Sequence, residues 1–372
     1  MTAGMMRAVV LDSPRAELRV EEIPIPHPHS GEVLVKVAGC GVCHTDLHVI
    51  KGEVAFPTPC VLGHEISGVV AEVPSGTDAP EVGSNVVGAF IMPCGSCRFC
   101  ARGRDDLCER FFAMNRLKGT LYDGTTRLYR AGGDPLWMYS MGGLAEYCVI
   151  PATGLFRLPD GLPLVESAVY GCSILTAFGA VRHAGDVRVG ETVAVVAIGG
   201  VGLNLVQLAH AFGAAQIIAV DVREEALRTA VDLGATDVVN AGEQDAVSRV
   251  RELTGGEGVD VAFEALGRPQ TFEQAFELVR DGGRMVAIGI ASGQATAAIG
   301  ITRLVRRSIR ITGSYGGRTR ADMPEILRMA AAGAIRAERM VTQRVPLSGA
   351  AAAYAALDGG AIIGRAVVTP DT

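Results

Sequence analysis

At 372 residues the chain is longer than one hydrophobic core ordinarily serves, so two domains are expected. Its composition, 49% hydrophobic and 20% charged, is that of a water-soluble globular protein. A net charge of −6 argues against nucleic acid or an anionic membrane as the main partner, since both select a basic face.

Residues 1–11 contain one basic residue, Arg7, and no uninterrupted apolar core, so no secretory signal is expected. No run approaches the roughly 18 apolar residues of a membrane span. Nine cysteines, an odd number at uneven spacing, read as metal ligands in a reducing cytoplasm rather than as disulfides.

Up to about residue 170, short β-rich runs alternate with Gly, Pro and Asp turns. Met6–Leu11, Glu32–Val37, Ser67–Val73, Asn85–Ala89 and Ala145–Ile150 are the predicted strands, and they suggest a barrel-like or sandwich-like domain. The glycine-rich stretch Gly119 to Gly143 reads as irregular and is too long for an ordinary connection. The pattern then changes. Apolar runs at Thr192–Ile198, Gln216–Val220, Asp237–Val239, Val259–Phe263, Arg284–Ile288 and Ile309–Thr312 alternate with helical stretches such as Val201–Phe212 and Glu224–Leu233. That alternation predicts an α/β domain with a doubly wound parallel sheet covered on both faces. Beyond residue 313 the chain reads as helix (Met323–Ala332, Ser348–Leu357) and a last strand, Arg365–Val368.

Four thiols, Cys94, Cys97, Cys100 and Cys108, fall within fifteen residues, with Gly95 and Gly103 easing the turns between them. Four ligands at this spacing suit a closed tetrahedral zinc with no position open to substrate, a structural site. Free thiols or an iron–sulfur centre are the alternatives. Other candidate ligands are dispersed: Cys43, His44, Asp46 and His48 in one segment, His64 and Glu65 in a second, Cys172 in a third. Taken singly, each is equally a surface or core residue.

Ala197-Ile198-Gly199-Gly200-Val201-Gly202 follows the first strand of the parallel sheet. Ala197 replaces the first glycine of Gly-x-Gly-x-x-Gly, while Gly199 and Gly202 match the second and third. A helix opening near Val201 would hold a pyrophosphate at its N-terminus. Asp221 ends the second strand, where a carboxylate binds ribose hydroxyls and repels a 2′-phosphate, favouring NAD over NADP; Arg223 weakens that preference.

Cys43-His44-Thr45-Asp46-Leu47-His48, Gly63-His64-Glu65, the four-cysteine segment, Cys172 and the glycine turn stand in the order of one family. The chain resembles zinc-containing medium-chain dehydrogenases/reductases, in particular their long-loop alcohol dehydrogenase branch with two zincs per subunit. The resemblance covers essentially the whole chain. It implies a GroES-like β-rich catalytic domain, residues 1–172 and 313–372, holding both zinc sites, and a Rossmann NAD-binding domain, residues 173–312.

Residue by residue, the resemblance implies a catalytic zinc on Cys43, His64 and Cys172, its fourth position left to water or substrate, with Glu65 behind it. Asp46 resembles the carboxylate that orients His64. Thr45 resembles the hydroxyl that accepts the substrate proton, and His48 the residue that passes it to solvent. His44 and Arg365 match cations beside the pyrophosphate. Thr176 and Val201 match residues that press the nicotinamide towards the zinc, and Leu266, Ile288 and Ile290 line the cofactor's edge. Phe90, Val54, Met138 and Tyr139 fall near the substrate channel, an apolar set suited to primary aliphatic or aromatic alcohols and aldehydes.

The implied activity is hydride transfer between such an alcohol and NAD. A thiol-adduct-dependent formaldehyde dehydrogenase of the same family is the alternative, but Phe112 and Val54 stand where that branch carries an arginine and an acidic residue. A non-catalytic relative would be expected to lack a ligand or relay residue, and none is missing. The segment Gly119–Arg127 resembles the long loop of dimeric members, so a homodimer is expected, with a tetramer as the alternative.

Overall fold

A computed structural model describes residues 4–291, 293 and 295–370. The first residues of the N-terminal reading, 1–3, lie outside the described residues. The chain divides into two compact units, Met1–Leu175 with Arg318–Thr372, and Thr176–Gly317.

The first unit opens with β1 (Met5–Leu11), β2 (Arg19–Pro24) and β3 (Glu32–Gly41), then a short helix α1 (His44–Ile50). Strands β4 (Cys60–Val61), β5 (Ile66–Glu72), β6 (Asn85–Gly88), β7 (Leu128–Tyr129), β8 (Pro135–Met138), β9 (Tyr147–Pro151) and β10 (Leu155–Arg157) follow. Helix α2 (Ser173–Gly179) carries the chain into the second unit. That unit alternates β11 (Thr192–Val196), α3 (Gly200–Ala211), β12 (Gln216–Asp221), α4 (Glu224–Asp232), β13 (Asp237–Asn240), α5 (Ala246–Leu253), β14 (Val259–Glu264), α6 (Pro269–Leu278), β15 (Val279–Ala287), α7 (Ile301–Arg306) and β16 (Arg310–Gly313). The chain then returns to the first unit with α8 (Thr319–Ala331), β17 (Val341–Pro346), α9 (Ala350–Asp358) and β18 (Arg365–Thr369).

Two sheets build the first unit, one in the order β2-β1-β4-β8-β7 and one in the order β10-β6-β5-β3-β18-β17, with β9 also on β3. Strand β3 alternates apolar Val33, Val35 and Val37 into the core and receives β18 antiparallel, with Val367 opposite Gly41 and Val368 opposite Cys40. The second unit is an all-parallel sheet, β13-β12-β11-β14-β15-β16, with its crossover between β11 and β14. This is the order of doubly wound dinucleotide folds, whose ligand crevice opens where the winding reverses. Its strands read as continuous apolar runs because both faces are covered: Val193, Val195, Ile218, Val220, Val261 and Phe263 are all buried. Full burial of each such side chain is worth roughly 1.5–3 kcal/mol.

The stretch from Gly119 to Gly143 is irregular over most of its length, as expected, but not throughout. It contains β7 and β8, paired antiparallel, and β8 runs parallel to β4. Arg127 is buried and pairs with Glu32 at 2.5 Å and Asp123 at 2.8 Å, while Thr126 donates to the Leu136 carbonyl. Polar anchors, which carry no hydrophobic period, give this segment its order. Among the described residues no helix is long and apolar enough to cross a membrane.

Candidate active site and metal centres

Four separate segments of the first unit converge on one buried point. Strand β3 runs out through Gly41 into Cys43; β4 leads through Gly63 to His64 and Glu65; a 3-10 turn, Glu166–Gly171, delivers Cys172; and β18 begins at Arg365. Backbone bonds stitch them together: Gly41 N–H donates to the Glu65 carbonyl at 2.7 Å, Val42 N–H to Ala366 at 2.9 Å, and Phe90 N–H to Gly171 at 2.9 Å. A Cβ at Gly41 would overlap Glu65 Oε2, so the absent side chain is what admits the carboxylate.

The donor atoms of Cys43, His64, Glu65 and Cys172 all lie within 4.8 Å of one another, and all four residues are buried. His64 Nδ1 pairs with Asp46 Oδ1 at 3.0 Å, which turns Nε2 towards the other three. That Nε2 is buried with no hydrogen-bond partner among the described residues. Burial opposes a charged imidazole, yet Asp46 and Cys43 outweigh it and lift the His64 pKa to about 10. Cys43 is held well below the ordinary thiol value by a hydrogen bond from Cys172, against burial and with help from Arg365; Cys172 is correspondingly raised. Burial raises Glu65 to about 7, against the pull of Arg365. Two thiols, an imidazole and a carboxylate, with one nitrogen unsatisfied, fit a zinc ion.

Neither Asp46 nor Glu65 lies at the surface. Thr45 Oγ1 sits 3.6 Å from Cys43 Sγ. His48, a quarter exposed, pairs through Nδ1 with Glu53 at 2.5 Å, a partner the sequence did not suggest. His44 opens α1 and is exposed. Arg365, expected beside a pyrophosphate, has a nearer anion: its guanidinium is buried 3.3 Å from Glu65 and 3.8 Å from Cys43 Sγ. An aromatic wall stands over His64, with Tyr139 at 5.8 Å and Phe90 at 6.0 Å between ring centres. Phe56, which sequence reasoning missed, packs edge-on to Tyr139 at 4.9 Å. Met138 is buried nearby in sequence, Val54 is exposed, and Phe112 meets Phe111 edge-on, 5.3 Å between ring centres.

The second donor set is Cys94, Cys97, Cys100 and Cys108, again within 4.8 Å of one another. Gly95 and Gly103 take the left-handed φ values (77° and 70°) that the wrapping turns require. Backbone N–H groups donate to the sulfurs, Cys94 N to Cys108 Sγ (3.2 Å) and Cys97 N to Cys94 Sγ (3.4 Å). Arg320 from α8 clamps the lobe, donating to Asp105 at 2.7 Å and to the Cys100 carbonyl at 2.7 Å. Nothing in the cysteine spacing marks that arginine.

In the second unit the turn after β11 has the shape of a phosphate cradle. Ala197 adopts φ +74°, the left-handed region in which its family pattern has glycine, at a cost of about 1–2 kcal/mol. A Cβ on Gly202 would overlap the Ala197 carbonyl, whereas one on Gly199 would meet nothing, leaving open space over the start of α3. Gly199 supplies no side-chain cap to that helix, so the first N–H groups, from Gly200 and Val201 onward, are available to an anion. Asp221 Oδ2 accepts from Ile198 N–H at 2.6 Å, and Oδ1 from Arg223 N–H at 2.9 Å with the guanidinium at 3.4 Å. Leu266 and Ile290 are exposed, and Ile288 and Thr176 half-buried.

Residues 29–160 match the model of the alcohol dehydrogenase GroES-like domain, and residues 200–332 that of the zinc-binding dehydrogenase domain. An NDMA-dependent alcohol dehydrogenase of Amycolatopsis methanolica is 34% identical, with 92% of each chain covered. The S-(hydroxymethyl)glutathione dehydrogenase of Saccharomyces cerevisiae is 32% identical over 95% of this chain and 93% of its own. Among solved structures, the benzyl alcohol dehydrogenase of Acinetobacter calcoaceticus superposes with a TM-score of 0.92 at 28% identity, covering 99% of this chain and all of that one. With two donor sets for zinc and a dinucleotide fold in one chain, these likenesses make the protein a member of the zinc-containing medium-chain alcohol dehydrogenase family, an oxidoreductase acting between alcohols and aldehydes with a nicotinamide cofactor.

Proposed function

We propose that this enzyme is an NAD-dependent dehydrogenase of primary aliphatic or aromatic alcohols, with a catalytic zinc on Cys43, His64 and Cys172 and a structural zinc on Cys94, Cys97, Cys100 and Cys108. The observation that carries the reading is the buried cluster whose one unsatisfied nitrogen, His64 Nε2, faces two thiols and a carboxylate. Bound there, zinc supplies a Lewis acid that makes an alcohol hydroxyl acidic at neutral pH. Thr45 accepts the proton of that hydroxyl, and His48, partnered by Glu53 at the rim, hands it to solvent. Asp46 holds His64 in the tautomer with Nε2 free. Phe56, Phe90 and Tyr139 exclude water and offer an apolar wall to the substrate.

Asp221 supports NAD over NADP, since its carboxylate ends the second strand and engages the Arg223 side chain that would otherwise favour a 2′-phosphate. Within the second unit, Gly199, Gly200, Val201 and Gly202 belong to the phosphate end of that cofactor, and Thr176, Leu266, Ile288 and Ile290 to the nicotinamide end. A homodimer is supported by β16, an edge strand exposed along its whole length, and by α7 beside it, which buries none of its residues and presents Ile301 and Val305. The nine free thiols support a reducing, cytoplasmic location.

Metal analysis tests the core of this reading: two zincs per subunit are expected, and one would break either assignment. A screen with NAD across aliphatic, aromatic and terpenoid alcohols, with and without small thiols, tests the substrate class. Turnover only in the presence of a thiol would favour an S-hydroxymethyl substrate instead. Replacing Asp221 with Gly relaxes the preference for NAD; an unchanged cofactor ratio removes that argument.

A further inference from the structure

We propose that Tyr354 is a positioning residue for the catalytic metal, fixing through its hydroxyl the Asp46 carboxylate that orients His64. The inference rests on the reading of Cys43, His64 and Cys172 as ligands. Helix α9 has the sequence Ala-Ala-Ala-Ala-Tyr-Ala-Ala-Leu-Asp and buries Ala350, Ala353, Tyr354 and Leu357, one face at helical spacing. Small alanines let that face approach α1 closely. A ring alone would fill the space; a buried phenol brings a hydroxyl that is costly to hide without a partner.

The hydroxyl donates to Asp46 Oδ2 at 2.9 Å, across 308 residues of chain. Asp46 is fully buried and Tyr354 is 2% exposed. The other carboxylate oxygen, Oδ1, receives His64 Nδ1 at 3.0 Å and Gly63 N–H at 3.2 Å. Labour is therefore divided: Tyr354 secures Oδ2, and Oδ1 is left to His64 and to the loop that carries it. Without the hydroxyl, Oδ2 loses the donor that these contacts provide, and a buried carboxylate with an unsatisfied oxygen is free to rotate. That rotation loosens the hold on Nδ1 and so on the ring whose Nε2 would face the metal. Outer partners of this kind are worth about 10–100-fold in metal affinity or activity.

A second tie between the same helices provides the control. Lys51, just past α1, pairs with Asp358 at the end of α9 at 2.5 Å, on the surface and without touching Asp46. The experiment uses the full-length zinc enzyme and follows metal release to a chromophoric chelator, with the visible spectrum of the Co(II)-substituted protein as a second readout. Tyr354→Phe is expected to release one of the two zincs about 10-fold faster, to leave the lobe's slower or faster phase unchanged, and to shift the cobalt bands. Lys51→Ala leaves both readouts as in the wild type. Asp46→Asn combined with Tyr354→Phe releases no faster than Asp46→Asn alone, because both act through one carboxylate.

Wild-type release and spectrum in Tyr354→Phe, in a protein that carries two zincs, would overturn the proposal, as would additive effects in the double variant. A wild-type enzyme that keeps its full metal content when Cys172 is replaced by Ala would instead overturn the ligand reading beneath it. Should Tyr354→Phe fail to fold, 3-fluorotyrosine at position 354 keeps the ring and strengthens the donor. Slower zinc release is then expected, and an unchanged rate overturns the proposal.

Discussion

The two donor sets gather four groups around one point in opposite ways. In the lobe, Cys94 to Cys108 come from one short stretch, the sulfurs are supported by backbone N–H groups, and Cys94 and Cys97 are partly exposed. In the buried cluster, Cys43, His64, Glu65 and Cys172 come from three distant segments and are surrounded by the side chains of Asp46, Arg365 and Tyr354. A local wrap needs only turns and makes a closed, uniform cage. A dispersed site needs the whole domain to assemble it, and in return its ligands differ chemically and their charges are set by neighbours. The first arrangement suits a brace, the second a reaction.

The largest test of that contrast is Cys172→Ala. Turnover is expected to fall at least ~10³-fold, about 4 kcal/mol of transition-state stabilisation, with the circular dichroism of the fold retained. Retained activity would remove Cys172 from the site. Cys100→Ala should act the other way. Losing the lobe's metal costs stability on the order of several kcal/mol in denaturant unfolding, while the folded fraction keeps near-normal kcat. Should kcat collapse in a protein of unchanged stability, the division into brace and reaction site fails.

Gly41→Ala probes the crowding peculiar to the buried cluster. The new methyl group displaces the Glu65 carboxylate, and thermal unfolding should register a loss of roughly 1–3 kcal/mol. A variant as stable as the wild type would mean that Glu65 is not held where Gly41 admits it. The smallest effect concerns reactivity in the metal-free protein. Cys97 is lowered to about 6 because, against burial, the N–H groups near Cys100 and Glu109 stabilise its thiolate. Cys60 and Cys148 are pushed up to about 12 by burial. Iodoacetamide near neutral pH should therefore label Cys97 at least ~10-fold sooner than either, with a rate that falls as pH drops below about 6 and levels off above it. Equal labelling of all three would mean that the lobe does not activate its thiols.

Legibility in the sequence divides along the same line. The lobe was readable from spacing alone because its geometry is local. The parallel sheet was readable too: unbroken apolar runs such as Val193–Val196 alternate with helices, and the Gly199–Gly202 turn falls between them. The buried cluster became readable only through family order, since Cys43, His64 and Cys172 carry no mutual spacing rule. Beyond reach were contacts that only tertiary structure creates. These include the entry of Glu65 past Gly41, the Arg365–Glu65 pair, the Arg320 clamp, Phe56 beside Tyr139, and Tyr354 behind Asp46. Strands β7 and β8 within residues 119–143 were also beyond reach, because ion pairs and hydroxyls anchor this segment and leave no period behind.

The return of residues 318–372 to the first unit has a consequence for how the protein is made. Domains form as units during vectorial synthesis, and contacts between distant residues close last. The nucleotide-binding unit is one continuous segment, complete once residue 317 has left the ribosome. The catalytic unit must wait for Tyr354 and Arg365, which meet Asp46 and Cys43 across 308 and 322 residues. A nascent chain stalled before that point holds a finished dinucleotide fold, while Cys43 still lacks its Arg365 partner. On the proposed assignment of ligands, metal loading at Cys43, His64 and Cys172 is expected to come late in synthesis, whereas the four cysteines of the lobe are all made within the first 108 residues.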